Sequence, residues 1–110
     1  MTKNTDATLL LLGNNLGPKG FDKDNEIMNW NVENYSSLLR PFSDRVIFIP
    51  GISDWSRGLE NLKDQENHLE KILGNKDIFQ PENGCPIEKI EINDAVDLLL
   101  LDSQWALSNW

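Results

Sequence analysis

One histidine and one cysteine are all that the 110 residues carry. Each scarcity excludes something. A lone cysteine, Cys85, cannot close an intrachain disulfide, so no disulfide framework holds this chain. Cys85 lies in the loop Asn83-Gly84-Cys85-Pro86 with no basic residue beside it. That setting predicts a half-buried packing residue rather than a nucleophile. A lone histidine, His68, removes the usual base of serine chemistry and most of the ligands of a transition-metal pair. It sits between Asn67 and Leu69 in a helical pattern, and a solvent-facing position is expected.

Positive charge is also scarce. Ten Lys and Arg face eighteen Asp and Glu, for a net charge of −8. The basic residues are scattered singly, so no stripe offers itself to a phosphate backbone, and no nucleic-acid partner is expected. Long apolar runs are missing too. Leu9 to Leu12 is far too short to cross a bilayer, and no small-residue cleavage site follows it. No membrane association and a soluble, cytoplasmic-type protein are the expectations.

What is present is clustered. Hydrophobic residues make up 39% of the chain, in runs rather than scattered, with four Trp and four Phe among them. Clustering of this kind predicts a folded core. Ala7 to Leu12 and Val46 to Ile49 are continuous apolar runs ending in Gly13-Asn14-Asn15 and Pro50-Gly51, which predicts strands buried on both faces. Between them, Glu26 to Leu39 reads as a helix. Met28, Val32, Tyr35 and Leu39 share a face with Ile27 and Leu38 beside them, Asp24 or Asn25 caps the start, and Pro41 follows the end. Strand, helix, strand implies a parallel pair with a right-handed crossover.

A second helix is expected at about Leu59 to Leu73, after Gly58 and closed by Gly74. Asn75 to Pro86 is a loop. Ile87 to Ile92 and Val96 to Leu101, joined at Asn93-Asp94, read as a β-hairpin. The fold class is therefore α/β: a layered strand-helix-strand-helix followed by a β-hairpin, in a single domain over residues 1–110.

In such folds, ligands bind outside the carboxyl ends of the parallel strands. The segments expected there are Gly13-Asn14-Asn15, Gly51-Ile52-Ser53-Asp54, and the one starting Asp102-Ser103-Gln104-Trp105. As a metal site this edge is poor. Asn14, Asn15, Asp54 and Asp102 give two amides and two carboxylates, enough for weak binding of a hard cation but not for a transition-metal pair. Ser53 and Ser103 have no histidine base nearby. The run from Gly13 to Gly20 has three glycines and Lys19, but not at P-loop spacing, and Pro18 removes a donor. On residue chemistry alone, purely structural roles are favoured. Gly13, Asn14, Asn15 and Gly51 suit turns, Asp54 or Ser56 suits a helix cap, and Asp102 suits a cap after its strand.

At the level of whole segments the chain resembles a known family. Leu11-Leu12-Gly13-Asn14-Asn15-Leu16-Gly17-Pro18-Lys19-Gly20 is similar to the Leu-Gly-Asp-Asn-Ile-Tyr-Pro-Lys-Gly segment of bacterial calcineurin-like metallophosphoesterases. Val46 to Trp55 is similar to their block ending Pro-Gly-Asn-His-Asp-Trp. Gly74-Asn75-Lys76-Asp77, Pro81 to Pro86 and Asp102 to Trp105 match one subgroup, in order and spacing. The resemblance implies a two-sheet α/β sandwich and hydrolysis of phosphoesters by a bridged pair of divalent metal ions.

Position by position, the resemblance implies a degenerate site. Asn14 stands where the family has its metal-bridging aspartate, Ile52 where an asparagine binds one metal, and Ser53 where the catalytic histidine stands. Asn15 and Asp54 match supporting residues, and Ala106 and Ser108 replace a tryptophan and a histidine. Intact members have an earlier strand with an Asp motif and later strands with histidine ligands, so a partial domain is expected. The expectation is then a chain with no catalytic residue and no cofactor of its own. Asn14 and Asp54 would be vestigial metal positions, supported by Gly13, Asn15, Gly51 and Asp102. Strand faces left bare would be covered by self-association or by a missing half-domain. The alternative is a protein-interaction module that reuses the fold, with Trp55, Trp105 and Trp110 on its surface.

Overall fold

The run at Val46–Ile49 becomes the spine of the structure. This strand, β2, buries Val46, Ile47 and Phe48. On one side it pairs in parallel with β1 (Leu9–Leu12), in the register Leu9 with Val46 through Leu12 with Ile49. On the other side the Phe48 N–H donates to the Ile78 carbonyl at 2.7 Å, and the Gln80 N–H donates to the Phe48 carbonyl at 2.9 Å. Both edges of β2 are thus occupied, which satisfies backbone groups that burial would otherwise leave unpaired. The computed structural model describes residues 7–14, 16 and 20–107.

The helix α1 (Glu26–Leu39) runs between the two strands. Asn25 caps it, its side-chain oxygen accepting from the Met28 N–H at 3.0 Å, which supplies one of the donors a helix start leaves free. Val32 and Leu39 are buried, with Met28 and Tyr35 packed beside them. The Tyr35 and Phe48 rings meet edge-on at 6.2 Å. Leu38 is 75% exposed, against expectation, because the stripe turns it to the flank, where none of the described residues covers it. The Ile27 side chain lies outside the described part of the structure. A short 3-10 turn, Arg40–Phe42, contains Pro41.

The second helix, α2 (Leu59–Leu73), ends at Gly74, which has φ of +68° and donates its N–H to the Glu70 carbonyl at 2.8 Å. Leu62, Leu69 and Leu73 are buried and join Phe21, Ile78 and Phe79 in the core around β2. Each such side chain contributes about 1.5–3 kcal/mol on burial. Gln65 and Glu66 lie on the same buried stripe. A second 3-10 turn, Glu82–Gly84, packs against this helix.

The hairpin forms from β3 (Ile87–Asn93) and β4 (Val96–Leu101). Its turn falls one residue later than expected, at Asp94-Ala95. Asn93 stays in the ladder opposite Val96, past a bulge, and its side-chain oxygen accepts from the Ala95 N–H at 2.8 Å. A five-residue helix, α3 (Ser103–Leu107), follows.

The outcome is a mixed α/β arrangement of helices and two small two-stranded sheets. Two expectations need correction. First, β1 is not buried on both faces: Leu9 is 41% and Leu12 78% exposed. It is an edge strand among the described residues, and the core centres on β2. Secondly, β4 belongs to the antiparallel sheet, not to the parallel one, so Asp102 does not leave from the edge where Gly13 and Gly51 lie. Among the described residues, no helix is long and apolar enough to cross a membrane.

Candidate functional site

The parallel pairing of β1 and β2 carries the chain out of both strands at the same end, so the two following loops meet. Gly13 adopts φ of +98° and Asn14 of +54°. The backbones nearly touch. A Cβ on Gly13 would lie 2.9 Å from the Gly51 Cα, and one on Gly51 would lie 2.9 Å from the Asn14 side-chain oxygen. Glycine at both positions is what lets the loops close on each other.

Hydrogen bonds then fasten them. The Asn14 Oδ1 accepts from the Ser53 N–H and from the Ser53 Oγ, both at 2.9 Å. The Asn14 N–H donates to Asp54 Oδ2 at 2.8 Å, and the Gly51 N–H donates to the same oxygen at 2.7 Å. Asp54 is fully buried. Its other oxygen accepts from Gln65 Nε2 at 3.0 Å, which ties the loop pair to α2. Ser53 is buried too, and its carbonyl accepts from the Ser56 N–H and Oγ at 3.2 and 2.7 Å. Ile52 is 65% exposed.

The third segment arrives by a different route. Asp102 is buried and accepts from the Trp55 indole Nε1 at 2.7 Å. Its second oxygen accepts from the Gln104 and Trp105 N–H groups at 3.1 and 3.2 Å and so caps α3. Burial pushes its carboxyl up from the usual range and the Asp54 charge adds to this, while the Trp55, Trp105 and Gln104 donors pull it down. Sequence order thus brings Gly13, Asn14, Gly51, Ser53 and Asp54 together directly, and Asp102 through Trp55. Asn15, Lys19 and Trp110 lie outside the described residues.

These groups do not fit a divalent metal pair. The two lone pairs of Asn14 Oδ1 are taken by Ser53, and both Asp54 oxygens are taken by N–H donors. Ile52 offers no donor atom. A hard cation would have to displace bonds already made. Among the described residues, no three His, Cys, Asp or Glu side chains converge as a ligand set. Ser53 is no better placed as a nucleophile, since its hydroxyl donates to an amide oxygen rather than to a base.

Comparison with family models, with curated proteins and with solved structures finds no match to this chain.

Two residues depart from expectation. His68 is half-buried rather than solvent-facing. Its ring lies 5.1 Å from that of Phe21, and its Nε2 is buried without a partner among the described residues. Burial lowers its pKa below 6.5, with Lys71 acting the same way and Glu33 against it. Periodicity along α2 could not reveal this, because Phe21 comes from a distant loop. Cys85 is exposed rather than half-buried, because it follows the turn that packs on α2 without joining it.

Gln65 was not singled out from sequence, and neither was the Glu66 contact with the Asn83 N–H. The signal was present: both are polar residues at positions of the apolar stripe Leu62, Leu69 and Leu73. A polar group there must find a partner inside.

Proposed function

We propose that these residues form a calcineurin-like metallophosphoesterase-type domain, part of a two-sheet sandwich, in which the former metal loops have become a structural clasp. The chemistry of that family is metal-dependent phosphoester hydrolysis, and on this reading the chain alone does not carry it out. The observation that supports the reading most is the double hydrogen bond from Ser53 to Asn14 Oδ1. It links the position of the bridging aspartate directly to the position of the catalytic histidine. The acidic surface, at net −8, disfavours nucleic acid as an alternative substrate or partner.

The test combines an assay with a restoration. The wild-type chain, supplied with manganese, zinc or iron, is expected to turn over no model phosphoester above blank. The triple variant Asn14→Asp, Ile52→Asn, Ser53→His is expected to gain measurable manganese binding by titration calorimetry. Wild-type turnover that disappears with a chelator would refute the clasp. Failure of the folded triple variant to bind metal once joined to the segments that supply the outer ligands would refute the family reading.

A second reading, a protein-interaction module, is favoured by one face of the hairpin. Ile87, Leu99 and Leu101 lie on that face in register, and all three are 49–62% exposed. Apolar side chains grouped in this way suit a partner surface, including that of a second copy. Light scattering across a concentration series decides the self-association form. A particle of monomer mass at every concentration counts against it.

A further inference from the structure

At the amino ends of β1 and β2, the end away from the clasp, the fold leaves a groove of about 1000 Å³. It is lined by Thr8 and residues 43–47, by Asn75, Asp77, Gln80 and Glu82 after α2, and by residues 88–93 of β3. Six consecutive residues include both faces of a strand, so β3 presents its edge to the groove. Among the described residues β3 pairs with β4 alone. Every second residue along such an edge points its N–H and C=O away from the partner strand. The ladder is regular from Ile87 to Glu91 and bulged beyond. A segment laid along that stretch would be roughly 17 Å long.

The groove is acidic. Asp44, Asp77, Glu82, Glu88 and Glu91 line it against two cations, Arg45 and Lys89, which leaves three negative charges in excess. Each cation is already engaged. Arg45 Nε lies 3.4 Å from Asp44 Oδ1, and Lys89 Nζ lies 3.7 Å from Asp97 Oδ2. Gln80 is buried. Its Nε2 donates to the Asp77 carbonyl at 3.1 Å and toward Glu82 Oε1 at 3.4 Å, so its amide head sits among the lining residues. Its Oε1 is buried with no donor among the described residues. A buried acceptor in that state is costly until a donor reaches it.

We propose that this groove takes an extended, Lys- or Arg-bearing segment of a partner polypeptide, which adds a strand to the free edge of β3. Backbone hydrogen bonds to β3 hold the segment and its side chains set the preference. Its ammonium or guanidinium groups meet the acidic lining and supply the donor that Gln80 Oε1 lacks. A second copy fits poorly, because the chain carries net −8 and would bring its own charge against Glu88 and Glu91. A small cation answers the charge but leaves the edge of β3 bare. The proposal does not rest on the clasp. It also uses the edge of β3 rather than the apolar face of Ile87, Leu99 and Leu101.

Fluorescence anisotropy on the whole chain tests this with three short labelled peptides. One alternates Lys and Val, one alternates Glu and Val, and the third is the Lys-Val peptide with its backbone nitrogens methylated. The Lys-Val peptide is expected to bind at least about tenfold more tightly than either of the others. NMR of the complex is expected to show slowed amide exchange along β3 and shifts at Gln80. The double variant Asp77→Asn, Glu82→Gln, its folding checked by circular dichroism, is expected to bind the Lys-Val peptide at least about threefold more weakly. The peptide comparison stands whether or not that variant folds. Equal binding of the methylated peptide would reduce the groove to a cation site and overturn the added strand. Absence of binding, equal binding of the Glu-Val peptide, an unchanged affinity in the folded double variant, or shifts confined to Ile87, Leu99 and Leu101 would each overturn the proposal as well.

Discussion

Truncating Asp54 to alanine removes the acceptor that ties Asn14 and Gly51 to each other and to α2. Three N–H donors point at it: Gly51, Asn14 and the Gln65 side chain, at 2.7, 2.8 and 3.0 Å. Asp54 is fully buried, so in the variant these donors lose their acceptor in a place water reaches poorly. A net hydrogen bond is worth about 1–1.5 kcal/mol, and a donor left unsatisfied costs about 1–3 kcal/mol. With some relaxation of the exposed Asn14 loop, the sum comes to about 3–5 kcal/mol. For a chain of this size each kcal/mol lowers the melting temperature by roughly 4–8 °C. Asp54→Ala is therefore expected to melt at least about 12 °C below wild type. Urea denaturation followed by far-ultraviolet circular dichroism gives the free energy directly. Adding Asn14→Ala to Asp54→Ala is expected to cost less than the sum of the single changes, because both act on one network. A loss under about 1 kcal/mol for Asp54→Ala, or strict additivity in the double variant, would show that the clasp does not hold the loops.

Gly51→Ala is expected to destabilise by at least about 2 kcal/mol in the same assay, since its Cβ would lie 2.9–3.0 Å from Asn14 and Gly13 atoms that cannot withdraw together. A near-neutral result would mean that the two backbones are not in contact. His68, with its pKa lowered by burial, is expected to titrate below 6.5 by NMR. The unfolded chain then takes the proton more readily, so His68 reduces stability as pH falls through 6.5, and His68→Gln is expected to flatten that acid limb. A midpoint at or above 6.5 would contradict its burial.

Both long helices were legible to the residue, at Glu26–Leu39 and Leu59–Leu73. Their apolar stripes are regular and their ends are marked by Asn25 and Gly74, signals that are local in the chain. The parallel pair was legible for a similar reason: two apolar runs with a helix between them leave little choice of direction. The burial of β1 was not legible, because an apolar run does not say how many faces will find a cover. Nor was the route of Asp102, which depends on the indole of Trp55, 47 residues away. The clasp itself was half visible. The meeting of the two loops followed from topology, but the Asn14 to Ser53 bonds span 39 residues, and nothing local in either loop announces the other. On the family reading proposed above, positions 14, 52 and 53 are the altered ones, and that reading does not tell that residues 14 and 53 bond to each other.

The Asn14–Ser53–Asp54 clasp also has a consequence in mass action. Where an ion holds loops together, their order depends on how much of that ion is present. The gain is about 2.7 kcal/mol at a hundredfold excess over its dissociation constant and vanishes when the ion is withdrawn. Bonds between Asn14, Gly51, Ser53 and Asp54 carry no such concentration term. Their closure is unimolecular, the same in dilute and concentrated solution and the same in a starved cell as in a replete one. What holds these two loops in place travels with the polypeptide.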